Sequence, residues 1–145
     1  MKFCVKNFEE LTAAQVYEIL KSRSEIFMLG QNIHCLDMDD VDYTARHYFA
    51  EDNGRIVAYL RAYYKDENHK QIKIGRVLTL AHGKGTGRAL MEYAMGDFSS
   101  CFTCKELYVE AQVQAQGFYE KMGFAVKSDV FLEEGIPHVI MEREL

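Results

Sequence analysis

The sequence predicts an α/β fold: one mixed, mostly antiparallel sheet of six to seven strands with helices on its faces. Three observations carry this expectation. Short β-rich runs alternate with segments of helical periodicity in the order β, α, three strands, α, β, α, β, β. Asn53-Gly54 stands between two such runs, the strongest short-range signal for a hairpin. Gly83, Gly85 and Gly87 link the apolar run from Ile74 to Leu80 to a helical segment, and a strand, glycine loop and helix in that order make a seat for an anion.

Taken in order, residues 3–6 read as a first strand. Thr12 then opens a helix: it can cap, Gln15 can reach back as the third helical residue, and Leu11 can staple to Val16. Val16, Ile19, Leu20, Ile26 and Phe27 line one face, which carries the helix to about Leu29, and Gly30 is a natural stop. Residues 31–46 are polar and acidic without periodicity and form a long connecting loop, a length often tied to function. Residues 47–50, the turn 51–54, residues 55–64 and residues 72–80 make a meander. The helix after the glycine loop runs to about Phe98. Residues 105–111 are the next strand, with Leu107, Val109 and Ala111 on one face. Residues 112–122 are helical and stop at Gly123, and residues 124–130 and 139–143 finish the sheet.

The 145 residues suffice for a single domain, residues 1–145, burying about two-thirds of its unfolded surface. A hydrophobic content of 48% with 27% charged residues is that of a soluble globular protein. No apolar run approaches the ~20 residues of a membrane span, and the N-terminus lacks the long apolar region of a secretory signal, so a cytoplasmic protein is expected. A net charge of −5 argues against nucleic acid as a partner and suits a cationic one. Cys4, Cys35, Cys101 and Cys104 make no disulfide framework in such a chain. Cys101-Phe102-Thr103-Cys104 lacks the second pair that zinc needs, and it follows a helix rather than opening one after a strand, so no metal is expected.

The loop His82-Gly83-Lys84-Gly85-Thr86-Gly87-Arg88 departs from both common phosphate loops. An NTPase loop requires Gly, four residues, then Gly-Lys-Ser/Thr, and Arg88 stands fifth after Gly83. The dinucleotide fingerprint fails at the same residue, where its third glycine belongs. What remains is a short G-x-G-x-G cradle before a helix N-terminus, or a glycine-rich turn with no ligand.

A second segment, Gln112-Val113-Gln114-Ala115-Gln116-Gly117-Phe118-Tyr119-Glu120-Lys121-Met122-Gly123-Phe124, is more specific. A polar residue, alanine three on, Phe-Tyr and then Gly-Phe, placed about thirty residues after a glycine cradle, resembles the GNAT superfamily of acetyl-CoA-dependent N-acetyltransferases. The resemblance covers about Leu11 to Met141. Arg23, Phe27, Gln31, Asp37, Asp39, Asp42, His47 and the tail Glu134-Gly135-Ile136-Pro137-His138 are similar to its ElaA-like branch. In the family the cradle reads Arg or Gln, two residues, Gly, one residue, Gly or Ala. Here it runs His82, Gly85, Gly87, so His82 is a departure, and the approach from Arg76 is about two residues shorter and lacks the common Ser-Pro.

The resemblance implies a GNAT-like acyl-CoA N-acyltransferase fold, with acetyl-CoA as co-substrate and no metal. The strand of Val77, Leu78 and Thr79 would splay from that of Glu110 and Ala111, opening a slot for pantetheine. His82, Gly83, Lys84, Gly85, Thr86, Gly87 and Arg88 would seat the pyrophosphate, and Gln112, where the family often has Asn, would contact the cofactor. Backbone N–H groups near Leu78 would bond the thioester carbonyl, and Tyr119 would donate a proton to the departing thiolate. The cysteines need not act, because no covalent enzyme intermediate is implied. A lysine-like amine is mostly protonated at pH 7, so a general base is required. Glu110 is the first candidate, with Asp37 and His138 behind it. The implied acceptor is an amine of a small molecule, peptide or protein, with neither nucleic acid nor membrane as partner. A homodimer formed through exposed sheet edges is compatible with this.

Other readings of the same residues stay open. Tyr119 beside Phe118 and Phe124 can be a packed aromatic. Asp37, Asp39, Asp40 and Asp42 fail the calcium-loop pattern, because Asp42 replaces its glycine and Tyr48 its closing glutamate. They form a solvated loop or a patch that attracts a cationic acceptor. His34 and Cys35 beside them could bind metal in an interaction protein. His47 and His138 can be structural. A non-catalytic acyl-CoA sensor is the alternative function, favoured by His82 and the shortened approach.

Overall fold

The computed structural model describes residues 1–80 and 83–145. In chain order these form β1 (Lys2–Asn7), α1 (Ala13–Arg23), β2 (Arg46–Asp52), β3 (Arg55–Tyr64), β4 (Ile72–Thr79), α2 (Thr86–Cys101), β5 (Glu106–Gln112), α3 (Gln116–Lys121), β6 (Ala125–Val126), β7 (Phe131–Glu133) and β8 (Ile136–Glu144). Among the described residues the strands make one eight-stranded sheet, ordered β1-β2-β3-β4-β5-β8-β6 with β7 on β8. Every pairing is antiparallel except β4 with β5.

Local chemistry explains the elements. Asn53 and Gly54 both adopt positive φ (51° and 76°), the requirement of the tight turn joining β2 to β3. At α1 the Thr12 Oγ1 accepts from the Gln15 N–H at 3.1 Å, and Gln15 Oε1 accepts from the Thr12 N–H at 3.0 Å, a reciprocal capping box. The helical path continues to Gly30 as expected, but Ser24–Gly30 is wound as a π-helix, which swings Phe27 and Gln31 toward the sheet.

Three expectations are corrected. The sheet has eight strands rather than six to seven, because Phe131–Glu133 folds back on β8 through a two-residue turn with Glu134 at φ 50° and Gly135 at φ 74°. Of the strand expected over residues 124–130, only Ala125–Val126 pairs. The helix expected over residues 112–122 breaks into a 3₁₀ turn, Val113–Ala115, and the short α3. Pro137 is accommodated because pairing with β5 ends at His138, leaving its missing N–H outside that ladder.

Alternation along the strands divides the apolar residues between two faces. Tyr48, Leu60, Ile74, Leu107, Val109 and Ala111 pack with Leu90, Met91, Ala94 and Phe98 of α2. Phe49, Ile56, Tyr59 and Leu78 face the other way, against Ile19 of α1 and Ile26 and Phe27 of the π-turn. Phe98 is fully buried and meets Tyr48 and Phe102 edge-on at 5.3 and 5.6 Å. No helix among the described residues is long and apolar enough to cross a membrane.

The long loop after α1 is held by charge. Arg23 of α1, with no exposed side-chain surface, bonds Asp37 Oδ2 and Asp42 Oδ1, each at 2.8 Å. Arg61 of β3 bonds Asp39 at 2.6 Å and Asp42 at 3.0 Å, and Arg76 of β4 bonds Asp37 at 2.9 Å. Burial opposes ionisation of Asp42, but hydrogen bonds and charge from Arg23 and Arg61 hold its carboxyl below the ordinary range. The bond from Arg61 lowers Asp39 to about 2. These three aspartates are therefore neither a solvated run nor a free lure for cations; they neutralise buried guanidinium groups that could not otherwise leave water.

Two measurements test this frame. In urea unfolding, Phe98→Ala should cost about 3–5 kcal/mol, and Thr12→Ala about 1 kcal/mol. Asp39 has a folded value near 2 against an ordinary 3.8. Its contribution to stability should be complete above about pH 4 and vanish as pH falls toward 2. Stability measured across that window should fall less steeply in Asp39→Asn than in the wild type.

Candidate active-site cleft

β4 and β5 pair only from Ile72 with Leu107 to Ile74 with Val109, and beyond that point the two strands part. The cause lies in β4. Gly75 is opposite Arg61, whereas Leu78 is opposite Tyr59, so the register slips between them, and Arg76 takes φ 51°. A bulge of this kind bends its strand. A left-handed arginine costs about 1–3 kcal/mol, and the bonds from its guanidinium to the Asp37 carboxylate and carbonyl (2.9 and 3.0 Å) hold it there.

The parting opens a cleft of about 680 Å³. Of the residues singled out in the sequence, Val77, Leu78, Thr79, Gly87, Glu110, Gln112 and Tyr119 all line it. Gly83 and Gly85 take φ 77° and 71°, and Gly85 caps α2. A Cβ on either would meet nothing within 4 Å, so glycine serves the backbone angle there rather than the space. Gly87 differs: a Cβ there would meet the Phe118 ring at 3.9 Å, an ordinary contact, so this glycine is required neither by its backbone angle nor by space. Thr86 opens α2 and is buried, and Lys84 sits in the turn before it. Arg88 is paired with Glu92 at 3.1 Å on the exposed side of α2 and does not line the cleft. His82 lies outside the described residues.

Tyr119 is both packed and directed at the cleft. Its ring meets Phe118 and Phe124 edge-on at 5.2 and 5.6 Å, and its hydroxyl has no hydrogen-bond partner among the described residues. Burial alone pushes the phenol well above its ordinary value, so it stays protonated at neutral pH. Gln112 exchanges two amide bonds with Gln31, each 3.0 Å, and accepts a third from Gln114 at 2.7 Å. That pair joins the end of β5 to the residue after the π-turn.

The cleft is also lined by charged groups. Glu110 Oε2 accepts from Lys73 Nζ at 3.1 Å and from Tyr108 Oη at 3.0 Å, and its carboxyl lies within hydrogen-bonding reach of Glu133. Burial opposes ionisation of Glu110, but the bond from Glu133, the Lys73 charge and the Tyr108 hydroxyl together keep it below the ordinary range. Burial and the Glu110 carboxyl push Glu133 the other way. His138 donates Nδ1–H to the Ile136 carbonyl at 2.6 Å, and its Nε2 faces Glu133 at 3.4 Å. Of the three base candidates, Asp37 is committed to Arg23 and Arg76, while Glu110 and His138 sit together in the cleft.

Lys73, Tyr108 and Glu133 escaped the sequence reading. Lys73 and Tyr108 occupy the polar positions of two alternating strands, a signal that marks a face but not a cleft. Glu133 belongs to the hairpin that three-residue β7 made unreadable. Among the described residues no three His, Cys, Asp or Glu are placed to hold a metal, His34 and Cys35 included. All four cysteines are free.

The acetyltransferase (GNAT) domain family matches residues 30–145. Protein ElaA of Escherichia coli (strain K12) is 34% identical over 140 residues, covering 94% of this chain and 92% of that protein. The crystal structure of E. coli ElaA superimposes with a TM-score of 0.91 at 31% identity, over 99% of this chain and 100% of that one. An acyl-CoA N-acyltransferase from Pseudomonas aeruginosa superimposes with a TM-score of 0.90 at 30% identity, over 99% of both chains. A bulged strand parting from its neighbour above a glycine turn is thus the cleft of an acyl-CoA N-acyltransferase fold, and the chain belongs to the GNAT acetyltransferase family, in its ElaA-like branch.

Proposed function

We propose that this protein transfers an acetyl group from acetyl-CoA to a primary amine by direct attack, without a covalent enzyme intermediate. The observation that carries the reading is the cleft between β4 and β5, lined by both Tyr119 and Glu110. Bound acetyl-CoA would supply an activated acyl group on a thiolate leaving group. The residues present suit it. Val77, Leu78, Thr79, Val109 and Phe118 offer an apolar slot for pantetheine. Gly83 and Gly85, with their positive-φ backbone, and the N-terminus of a 16-residue helix would face the pyrophosphate, with Lys84 supplying charge and His82 in place of the family's Arg or Gln, while Arg88 is paired with Glu92.

Backbone N–H groups near Leu78 stabilise the charge that develops on the thioester oxygen. Glu110 takes one proton from the incoming ammonium, so that a neutral nitrogen attacks. Tyr119 gives its proton to the departing sulfur, and the second nitrogen proton replaces it. Gln112 must exchange its bond to Gln31 for one to the cofactor, so binding opens the amide pair across the slot. The acceptor is an amine of a small molecule, a peptide or a protein, met in the cytoplasm.

Isothermal titration should show CoA and acetyl-CoA binding, and no heat at millimolar concentration would sink the reading. Free thiol should be released with at least one member of a panel of primary amines; binding with no release would identify a sensor instead. Tyr119→Phe should lower kcat by about 10²-fold while leaving CoA affinity within about twofold. An equal loss in both would overturn the acid role.

A further inference from the structure

The base end of the cleft holds one carboxylate more than a lone base requires. Glu110 comes from β5, fixed by Lys73 of β4 and Tyr108 of its own strand. Glu133 lines the same cleft from the β7 hairpin, on the other side of β8, and its carboxyl is within hydrogen-bonding reach of Glu110. His138 of β8 lies behind Glu133, and its tautomer is set: Nδ1–H is given to the Ile136 carbonyl, so the Nε2 lone pair faces the Glu133 carboxyl at 3.4 Å. Phe131 stacks on the imidazole at a centroid distance of 6.0 Å and keeps it there. Across the cleft, Asp37 and Asp39 are occupied by Arg23, Arg61 and Arg76. Glu134, in the turn, is exposed. The groups that decide protonation at Glu110 are therefore Lys73, Tyr108, Glu133 and His138.

We propose that Glu110 and Glu133 act as one base, a carboxyl pair whose fully ionised form takes the proton of the acceptor ammonium. The proposal rests on the acetyl-transfer reading. A single glutamate beside Lys73 and Tyr108 is a stabilised anion and a weak base. Two carboxylates in contact cannot both stay ionised cheaply, so the proton that neutralises one of them is bound more tightly than by either alone. The step balances: the doubly ionised pair gains one proton, the ammonium becomes a neutral amine, and the pair carries one negative charge. Glu133, with 46% of its side chain exposed, then returns that proton to water, while Glu110 is 21% exposed and Lys73 and Tyr108 keep it as the anionic member. His138 positions Glu133 by accepting from it when it is protonated.

Carbon-13 NMR of the glutamate carboxyls across pH tests the pair without needing the acceptor. The wild type should show two coupled steps at this site, the upper above the ordinary carboxyl range and the lower below it. Glu133→Gln should leave Glu110 titrating once, below the usual range, and Glu110→Gln should likewise leave a single step at Glu133. With any amine that is turned over, Glu133→Gln should move the acidic limb of kcat/KM down by about one unit and lower its plateau about tenfold, with CoA affinity unchanged. Normal CoA binding with independent titrations of the two carboxyls, or with an unmoved limb, overturns the pair alone. Failure of the wild type to bind CoA overturns the acetyl-transfer reading and the base role with it.

Discussion

The tie between Arg76 and Asp37 is the constraint on which the rest depends. A bulge at Arg76 turns β4 away from β5, and without that turn the parallel ladder begun at Ile72–Ile74 could continue and close the cleft. A left-handed arginine does not persist unsupported. Here it bonds a carboxylate that also holds the buried Arg23, and through Asp42 the network reaches Arg61 on β3. Removing one member would leave another charge buried without its counter-ion, so the strain at the bulge is shared by four elements of the chain. The opening is thus a property of the folded core and its loop rather than of a flexible gate.

This accounts for the division of labour within the cleft. Past the bulge, Val77 and Leu78 of β4 line the cleft together with Phe118 and Tyr119, an environment that keeps the phenol protonated and, in the proposed reaction, would remove the solvation of a leaving thiolate. Before the bulge the sheet face carries Lys73, Tyr108 and Glu110, whose charges are satisfied by one another. An acid and a base in one slot need different surroundings to hold different protonation states at the same pH. One wall of Tyr119 is aromatic packing, so packing and the proton donation proposed for this residue are complementary: the burial that packs the ring is what retains the proton.

Much of this was legible in the sequence, and the exceptions have physical causes. The capping box at Thr12, the hairpin at Asn53-Gly54, the stop at Gly30 and the shared face of Leu107, Val109 and Ala111 depend on residues adjacent along the chain, and all are present. The residues lining the slot were found because Gln112–Phe124 and the glycine loop carry a family pattern, which spacing alone did not supply. What escaped depends on partners far apart. No local signal tells an acidic loop in water from one wrapped on three arginines 14 to 39 positions away. A three-residue strand offers too short an alternation to be seen, and with it went Glu133.

The same long-range pairing relocates the acidic character of the cleft. Asp37, Asp39 and Asp42 face Arg23, Arg61 and Arg76, so the loop richest in acid along the sequence contributes no net charge where it meets the cleft. Glu110, Glu133 and Glu134 also line the cleft, where Lys73 pairs with Glu110, and His138 adds charge only when protonated. The field that a cation meets on entering is therefore set by the β7 hairpin and the end of β5. In the proposed reaction with an ammonium acceptor, attraction and deprotonation would fall at one spot, so the charge that draws the substrate in would be consumed by the proton it delivers.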